Sequence, residues 1–357
     1  MFKFLLIEDA EEDIESCKDT VKRMNLEAGE EIFQISVAES YDEGIEGLKN
    51  DYDGIIIDIK LDGEHSGNEI IRTIIKKYRV PVAVMTGTPD TELEEGSPIC
   101  IYKKGETSYE NIINSLYRSS STGLFNVLGG TGIIEKVMNQ IFWKNLYPQI
   151  GLWEDRKGHG VDTEKVLLRY AISHIQELID SEIPAYVTEE MYIKPPIAPN
   201  IKTGSIVQAE DDGLYCIVLS PPCDLAMHNE KMKTERVLLC EIDTQDDVHS
   251  KLLNGITNSN KRAKKIATAL NNNYTDFYHW LPQNSLFNGG YINFRKVITY
   301  SPEDISKQFS PPLLKVQESF VKSILGRFSA YYARQGQPDF DFNTEATTIV
   351  EKIPMTV

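Results

Sequence analysis

The sequence has little of what would anchor a protein in a membrane or staple it covalently. Nowhere do about 18 apolar residues run together, so no bilayer-spanning helix is expected. The first apolar run, Phe2 to Ile7, meets Glu8-Asp9 after a few residues and has no small-residue cleavage site, so it does not read as a signal peptide. Cysteines number five (Cys17, Cys100, Cys216, Cys223, Cys240), an odd count without a CxxC pair, which suits a reducing compartment. The expectation is a soluble, cytoplasmic protein. Positive charge is also scarce, at 37 Lys and Arg against 54 Asp and Glu, and the net charge of −17 opposes a phosphate backbone. Non-specific DNA binding is disfavoured, and nucleic acid is not among the expected partners. What remains is ordinary globular usage: 357 residues, 41% hydrophobic and 25% charged. At about 150 residues per domain this is enough for two to three domains.

The acidity is concentrated at one end. Residues 1–118 carry 26 Asp and Glu against 13 Lys and Arg, whereas residues 119–357 carry 28 against 24. The small-residue stretch Ser119-Ser120-Ser121-Thr122-Gly123 marks a junction between them. Before it, five short apolar runs read as strands: Phe4 to Ile7, Ile32 to Val37, Gly54 to Ile59, Val80 to Met85 and Ile99 to Tyr102. Helical patterns alternate with them over Asp13 to Met24, Tyr41 to Asn50, Asn68 to Tyr78, Thr91 to Glu95 and Ser108 to Tyr117. Strict strand–helix alternation predicts an α/β doubly wound, five-stranded parallel sheet with helices on both faces.

In such sheets, chemistry gathers beyond the carboxyl ends of the strands. The first strand ends in Glu8-Asp9, the third in Asp58, the fourth in Thr86 and the fifth in Lys103-Lys104. Carboxylates packed together repel one another and are costly to desolvate, so this convergence calls for a hard divalent cation such as Mg²⁺. A hydroxyl and a lysine on the rim would supply donors for a transferred phosphoryl group. Each residue singly is commonplace, since an Asp closing a strand is usually a turn or cap residue and a Thr-Gly pair usually a turn. Their joint occurrence at the expected strand ends predicts a phosphoryl-transfer site with an aspartate nucleophile.

The segments Leu5-Leu6-Ile7-Glu8-Asp9, Ile55-Ile56-Ile57-Asp58-Ile59-Lys60-Leu61, Val84-Met85-Thr86-Gly87 and Ile101-Tyr102-Lys103-Lys104-Gly105 resemble, in order and spacing, the receiver domain of two-component response regulators. The resemblance covers residues 1–118, about a third of the chain, and implies a flavodoxin-like fold. It implies that Asp58 accepts a phosphoryl group from a phosphohistidine of a sensor histidine kinase or phosphotransfer protein. It further implies Mg²⁺ as cofactor, held by Glu8, Asp9, Asp58 and the backbone carbonyl of Lys60, with Thr86 and Lys104 contacting the phosphate. Lys103 remains a rival for Lys104. Three positions depart from the family pattern. Asp62 stands where Pro is common, Gly105 follows the lysine where Pro is usual, and Ile101 or Cys100 occupies the aromatic switch position, with Tyr102 adjacent. The usual coupling of phosphorylation to a dimer face therefore does not carry over, and a homodimer is left open.

Beyond the junction, residues 123–195 read as a helical connector. It holds helices over Ile133 to Lys144, with Ile134, Val137, Ile141 and Phe142 on one face, and Thr163 to Ile179, with Val166, Leu167, Tyr170, Ile175 and Leu178 near one face. Gly129-Gly130-Thr131-Gly132 lacks the Gly-Lys-Ser/Thr of a phosphate loop and reads as a turn. Residues 200–357 read as an α+β domain with a small β-barrel or half-open sheet. Its strands are Ser205 to Ala209, Leu214 to Leu219, Val237 to Ile242 and Tyr291 to Thr299, and a helix runs from Ser319 to Arg334. Cys216, Cys223, His228 and Cys240 match no zinc spacing, and Cys223-Asp224 reads as a turn after Pro221-Pro222. The basic run Lys261-Arg262-Ala263-Lys264-Lys265 reads as a solvated helix face.

Three functions follow. The first is a response regulator that signals to its C-terminal domain. The second is a phosphate sink whose C-terminal half is an interaction module, and the third a phosphorylation-gated hydrolase or nuclease. No catalytic constellation after residue 120 supports the third. Receivers with unusual C-terminal partners resemble those of bacterial anti-phage two-component systems, which makes antiviral defence a further expectation.

Overall fold

The structure, a computed structural model, describes residues 1–61, 66–87, 93, 97–180, 185–228, 231–334 and 341–352. The chain divides into two compact units, Met1–Glu182 and Ile183–Val357.

The first unit opens with a five-stranded parallel sheet: β1 (Phe2–Ile7), β2 (Phe33–Ala38), β3 (Gly54–Ile57), β4 (Val82–Thr86) and β5 (Cys100–Lys103), in the order β2-β1-β3-β4-β5. The helices α1 (Glu11–Ala28), α2 (Tyr41–Gly47), α3 (Gly67–Lys77) and α4 (Tyr109–Ser121) cover both faces. Phe4, Leu6 and Ile56 pack with α1 and α4 through Ile14, Cys17, Ile112 and Ile113. Leu5, Ile7, Ile55 and Ile57 pack on the other face with Ile70, Ile71 and Ile74 of α3. Every residue of β3 is buried, as a central strand covered on both faces must be. The doubly wound sheet expected from the sequence is therefore present. Strand β5 differs from expectation in being mostly exposed, because it is the edge of the sheet. The expected helix over Thr91 to Glu95 and most of the Asp62 to Gly67 loop lie outside the described residues.

The unit continues into short helices: α5 (Leu124–Leu128), α6 (Ile133–Ile141), α7 (Ile150–Gly158) and α8 (Thr163–Asp180). Where the sequence predicts one helix to Lys144, α6 passes at Phe142–Leu146 into a single wider turn with i→i+5 bonding. Gly129–Gly132 forms the expected turn, closed by Gly132 N–H donating to the Gly129 carbonyl. Arg79, after α3, pairs with Glu135 of α6.

The second unit is built on an open, curled antiparallel sheet of seven strands: β6 (Tyr192–Ile193), β7 (Ser205–Gln208), β8 (Tyr215–Val218), β11 (Val237–Asp243), β12 (Tyr278–Leu281), β13 (Gly290–Tyr300) and β14 (Leu314–Val316), in the order β12-β13-β11-β8-β7-β14-β6. A separate two-stranded ribbon joins β9 (Met227–His228) and β10 (Lys231–Met232). The half-open sheet expected from the sequence is observed, and the Asp211-Asp212-Gly213 hairpin turns between β7 and β8 through Gly213 at φ +72°. Helices α9 (Gln245–Leu253), α10 (Ser259–Leu270), α11 (Pro302–Gln308), α12 (Glu318–Tyr332) and α13 (Phe342–Lys352) complete the described residues. Phe320, Ile324, Phe328 and Tyr331 of α12 pack on the core with Phe294 and Leu314, so this aromatic face is core. No described helix is long and apolar enough to cross a membrane.

Candidate functional site

The parallel sheet places the ends of β1, β3, β4 and β5 side by side, because all four strands run in the same direction. Glu8 and Asp58 follow β1 and β3 directly, and the Asp58 N–H donates to the Ile7 carbonyl at 2.9 Å, locking the two strand ends together. Lys104 follows β5, and its N–H donates to the Thr86 carbonyl at 2.9 Å. Four segments far apart in sequence are thereby held at one edge by backbone hydrogen bonds.

Lys104 is the centre of the cluster. Its Nζ donates to Glu8 Oε2 at 2.6 Å, Asp13 Oδ2 at 2.7 Å and Asp58 Oδ2 at 2.8 Å. Glu8, Asp58 and Thr86 are buried, and Asp9 and Asp13 are half-buried. The Ala10 N–H donates to Glu8 Oε1 at 3.1 Å, and the Lys60 N–H to Asp58 Oδ1 at 3.2 Å. Burial pushes the Glu8 carboxyl above its ordinary pKa, against the lowering effect of Lys104 and the Ala10 N–H. For Lys104, burial disfavours the ammonium, but hydrogen bonds to Asp13, Asp58 and Glu8 outweigh it and hold the pKa above the usual lysine value.

Lys103, the rival, projects elsewhere: its Nζ donates to Glu106 at 2.6 Å on the exposed side of the edge strand. Successive residues of a strand face opposite sides, so of two adjacent lysines only one can enter the cluster. Two residues of the site were not singled out from the sequence. Asp13 reads as one of three acidic residues in the first turn of a helix, where the helix dipole already favours acids, and this hides its contact with Lys104. Gly67 reads as loop, yet a Cβ there would lie 2.1 Å from the Asp58 carbonyl oxygen and 2.8 Å from Ile59 Cα. The chain passes so close behind Asp58 that only glycine fits.

Glu8, Asp13 and Asp58 surround the ammonium of Lys104, and half-buried Asp9 follows Glu8 in the chain. Three of them already converge on one positive point, so the donor set fits a hard, oxygen-liganded cation by charge and ligand type. In this arrangement the carboxylates are held by the ammonium, and no group of three His, Cys, Asp or Glu among the described residues is arranged around a metal position.

The cysteines of the second unit are not gathered into a site. Cys216 and Cys240 are buried, and burial pushes the Cys216 thiol up to about 12, far from a reactive thiolate. Cys223 is exposed, with its Sγ 3.6 Å from Asp224 Oδ1 in a turn whose Asp224 N–H donates to the Pro221 carbonyl. The His228 side chain lies outside the described residues. A polar cluster that the sequence did not signal surrounds Asp243, which accepts from Tyr278 Oη, Asn293 Nδ2 and Lys296 Nζ, each at 2.8 Å, where β13 bulges against β11. Both carboxylate oxygens have donors, so the cluster pins the bulge.

The parallel sheet in the order β2-β1-β3-β4-β5, with helices on both faces, gives residues 1–121 a receiver-type α/β fold. Solved structures that this region is similar to include a CheY-like response regulator receiver domain from Methylobacillus flagellatus (18% identity, 32% of this chain and 98% of that chain, TM-score 0.27). A CheY-like receiver domain protein from Methanospirillum hungatei JF-1 is similar at 18% identity, over 34% of this chain and 95% of that one, with a TM-score of 0.29. The response regulator TrrA from Thermotoga maritima, solved in complex with Mg(2+)-BeF, is similar at 21% identity, over 33% and 98%, with a TM-score of 0.26. No family model and no curated protein matches the chain. The similarity to these structures is confined to the N-terminal third.

Proposed function

We propose that this protein is a response regulator whose Asp58 accepts a phosphoryl group from a phosphohistidine of a sensor histidine kinase or phosphotransfer protein. The observation that carries this reading is the convergence of Glu8, Asp13 and Asp58 on Lys104 Nζ at hydrogen-bond distance. An Asp58 carboxylate oxygen attacks phosphorus, an O–P bond forms, and the P–N bond to the imidazole breaks, returning the electron pair to the histidine. Lys104 holds Asp58 in position before transfer and follows the negative charge to the phosphoryl oxygens afterwards. Thr86, at the end of β4, offers its hydroxyl to the same oxygens. Glu8, Asp9, Asp58 and the Lys60 carbonyl are the residues that would hold Mg²⁺, which supplies charge neutralisation between carboxylates and phosphate.

The experiment is incubation of the full chain with acetyl phosphate and Mg²⁺, followed by intact-mass measurement. One phosphoryl increment is expected for the wild type and none for Asp58→Asn. Labelling of Asp58→Asn at the wild-type level would move the acceptor elsewhere. Asp9→Ala should lose Mg²⁺ binding by isothermal titration while keeping its circular dichroism spectrum.

One observation favours the phosphate-sink reading over an output switch. The position three before Lys104 is Ile101, exposed on the edge strand, and the neighbouring Tyr102 hydroxyl is tied to Ser115 of α4 at 3.3 Å. An aromatic side chain free to swing when Thr86 meets phosphate is absent from both positions. A phosphorylated chain whose hydrogen-exchange pattern changes only around the strand ends would support the sink; a change reaching the second unit would support signalling.

A further inference from the structure

The helical segment after the receiver leaves a large part of its apolar surface open. Fourteen large hydrophobic side chains between Leu124 and Ile179 are exposed, Trp143 and Leu168 by 63% each. Phe142, Trp143 and Tyr147 form an exposed aromatic group with ring centroids 5.0 to 5.5 Å apart. Aromatic side chains of 150–250 Å², about half exposed, present roughly 100 Å² each, so this group alone shows on the order of 300 Å² of apolar surface. Isolated apolar residues on a surface are normal, but exposed groupings such as these three rings and the row on α8 mark an interaction face.

The pattern on α8 indicates the occupant. Its inward side, Val166, Leu167, Tyr170 and Ala171, is buried or half-buried, and only Leu178 near its end is exposed. Leu168, Ile172 and Ile179 point outward, exposed by 63, 55 and 40%. With half-buried Ile175 between them, they recur at spacings of four, three and four residues. Over these twelve residues that is the a/d spacing by which one helix packs along a second of the same periodicity. A seam of this kind is self-complementary, so two copies can join it across a two-fold axis. Charge points the same way. Residues 124–180 hold seven acidic and six basic side chains, whereas the whole chain is at −17, so this segment is where two copies approach with little repulsion.

We infer that α8 and the adjoining apolar helices form a homodimer interface, the outward seam Leu168-Ile172-Ile175-Ile179 packing against its counterpart in a second copy of the chain. The reading is independent of phosphorylation and uses no residue of the strand-end site. The test is the mass of the full chain in solution by light scattering over roughly a hundredfold dilution, because association is a mass-action equilibrium. A mass near twice 40.5 kDa at the higher concentrations is expected for the wild type. Leu168→Glu combined with Ile172→Glu should give 40.5 kDa at every concentration with unchanged helical circular dichroism. A wild type that is monomeric throughout, its seam then being covered from within or by another protein, overturns the inference. So does a double variant that folds and stays dimeric. Should the double variant fail to fold, a nitroxide at Ser173→Cys, with the exposed Cys100 and Cys223 changed to Ser, decides: mid-helix labels on packed α8 helices should couple below about 30 Å, given the 8–10 Å spacing of packed helices. Absence of coupling between copies would refute the seam.

Discussion

Replacing Lys104 by Met isolates the electrostatics of the strand-end cluster. Methionine keeps most of the unbranched stem and removes the ammonium, leaving Glu8 and Asp58 buried without their positive partner while half-buried Asp13 turns to water. Removing one member of a buried ion-pair network typically costs 3–5 kcal/mol, because the charges left behind are desolvated and uncompensated. Lys104 retains a fifth of its side-chain exposure and Asp13 a third, so the lower end of that range applies, about 3 kcal/mol. At a urea dependence of about 2–3 kcal/mol per molar this displaces the midpoint by roughly 1 M. The chain has two compact units, so a global signal would mix transitions. Hydrogen exchange at peptides from β1 and β3, measured against urea in EDTA, reads the receiver alone. Addition of Mg²⁺ should then recover part of the loss, since a divalent cation replaces the missing charge and binding to the folded state adds RT ln(1 + [Mg²⁺]/Kd). A variant midpoint within about 0.2 M of the wild type in EDTA, or no recovery with Mg²⁺, would refute the view that these carboxylates depend on a cation.

Three further outcomes are expected. Gly67→Ala sets a Cβ against backbone atoms of Asp58 and Ile59 that cannot swing away, so it should destabilise the receiver by about 1–3 kcal/mol and slow acetyl-phosphate labelling, with chemical denaturation and intact mass as readouts. His279 is buried, its Nδ1 finds no hydrogen-bond partner among the described residues, and desolvation lowers its pKa from 6.5 to about 3. Its contribution is therefore present above pH 6.5, where both states are neutral, and is lost as pH falls towards 3 because the unfolded chain takes up the proton first. About 2 kcal/mol should be gone at pH 5, and His279→Leu should flatten that slope in denaturation at stepped pH. Cys223→Ser should alter stability by no more than about 0.5 kcal/mol, because the thiol is exposed in a turn and packs into no core, and metal analysis should find no stoichiometric zinc.

The first 120 residues were legible because local signals there agree with the fold. The apolar runs of β1, β3 and β4 read as buried strands since helices cover both faces, and the acidic and hydroxyl residues stand where those runs stop. The strand order β2-β1-β3-β4-β5 came only with the fold, because right-handed crossovers allow more than one order of the same five strands. Much of the second unit was not legible. Strands β6 and β14 are two and three residues long and hold their places only by pairing with each other and with β7, so no local pattern announces them. Strand β12 alternates buried His279 and Leu281 with less buried neighbours, but a buried histidine does not read as core in a sequence. At the candidate site, sequence alone supplied Glu8, Asp9, Asp58, Thr86 and a pair of lysines. Only the folded chain chose Lys104 over Lys103, because the choice depends on which face of an edge strand each side chain takes. Asp13 joins the cluster through the direction in which α1 leaves β1, and Gly67 through the passage of α3 behind Asp58. Both are facts of distance between segments, and a sequence carries such distances only after the sheet has brought its strands together.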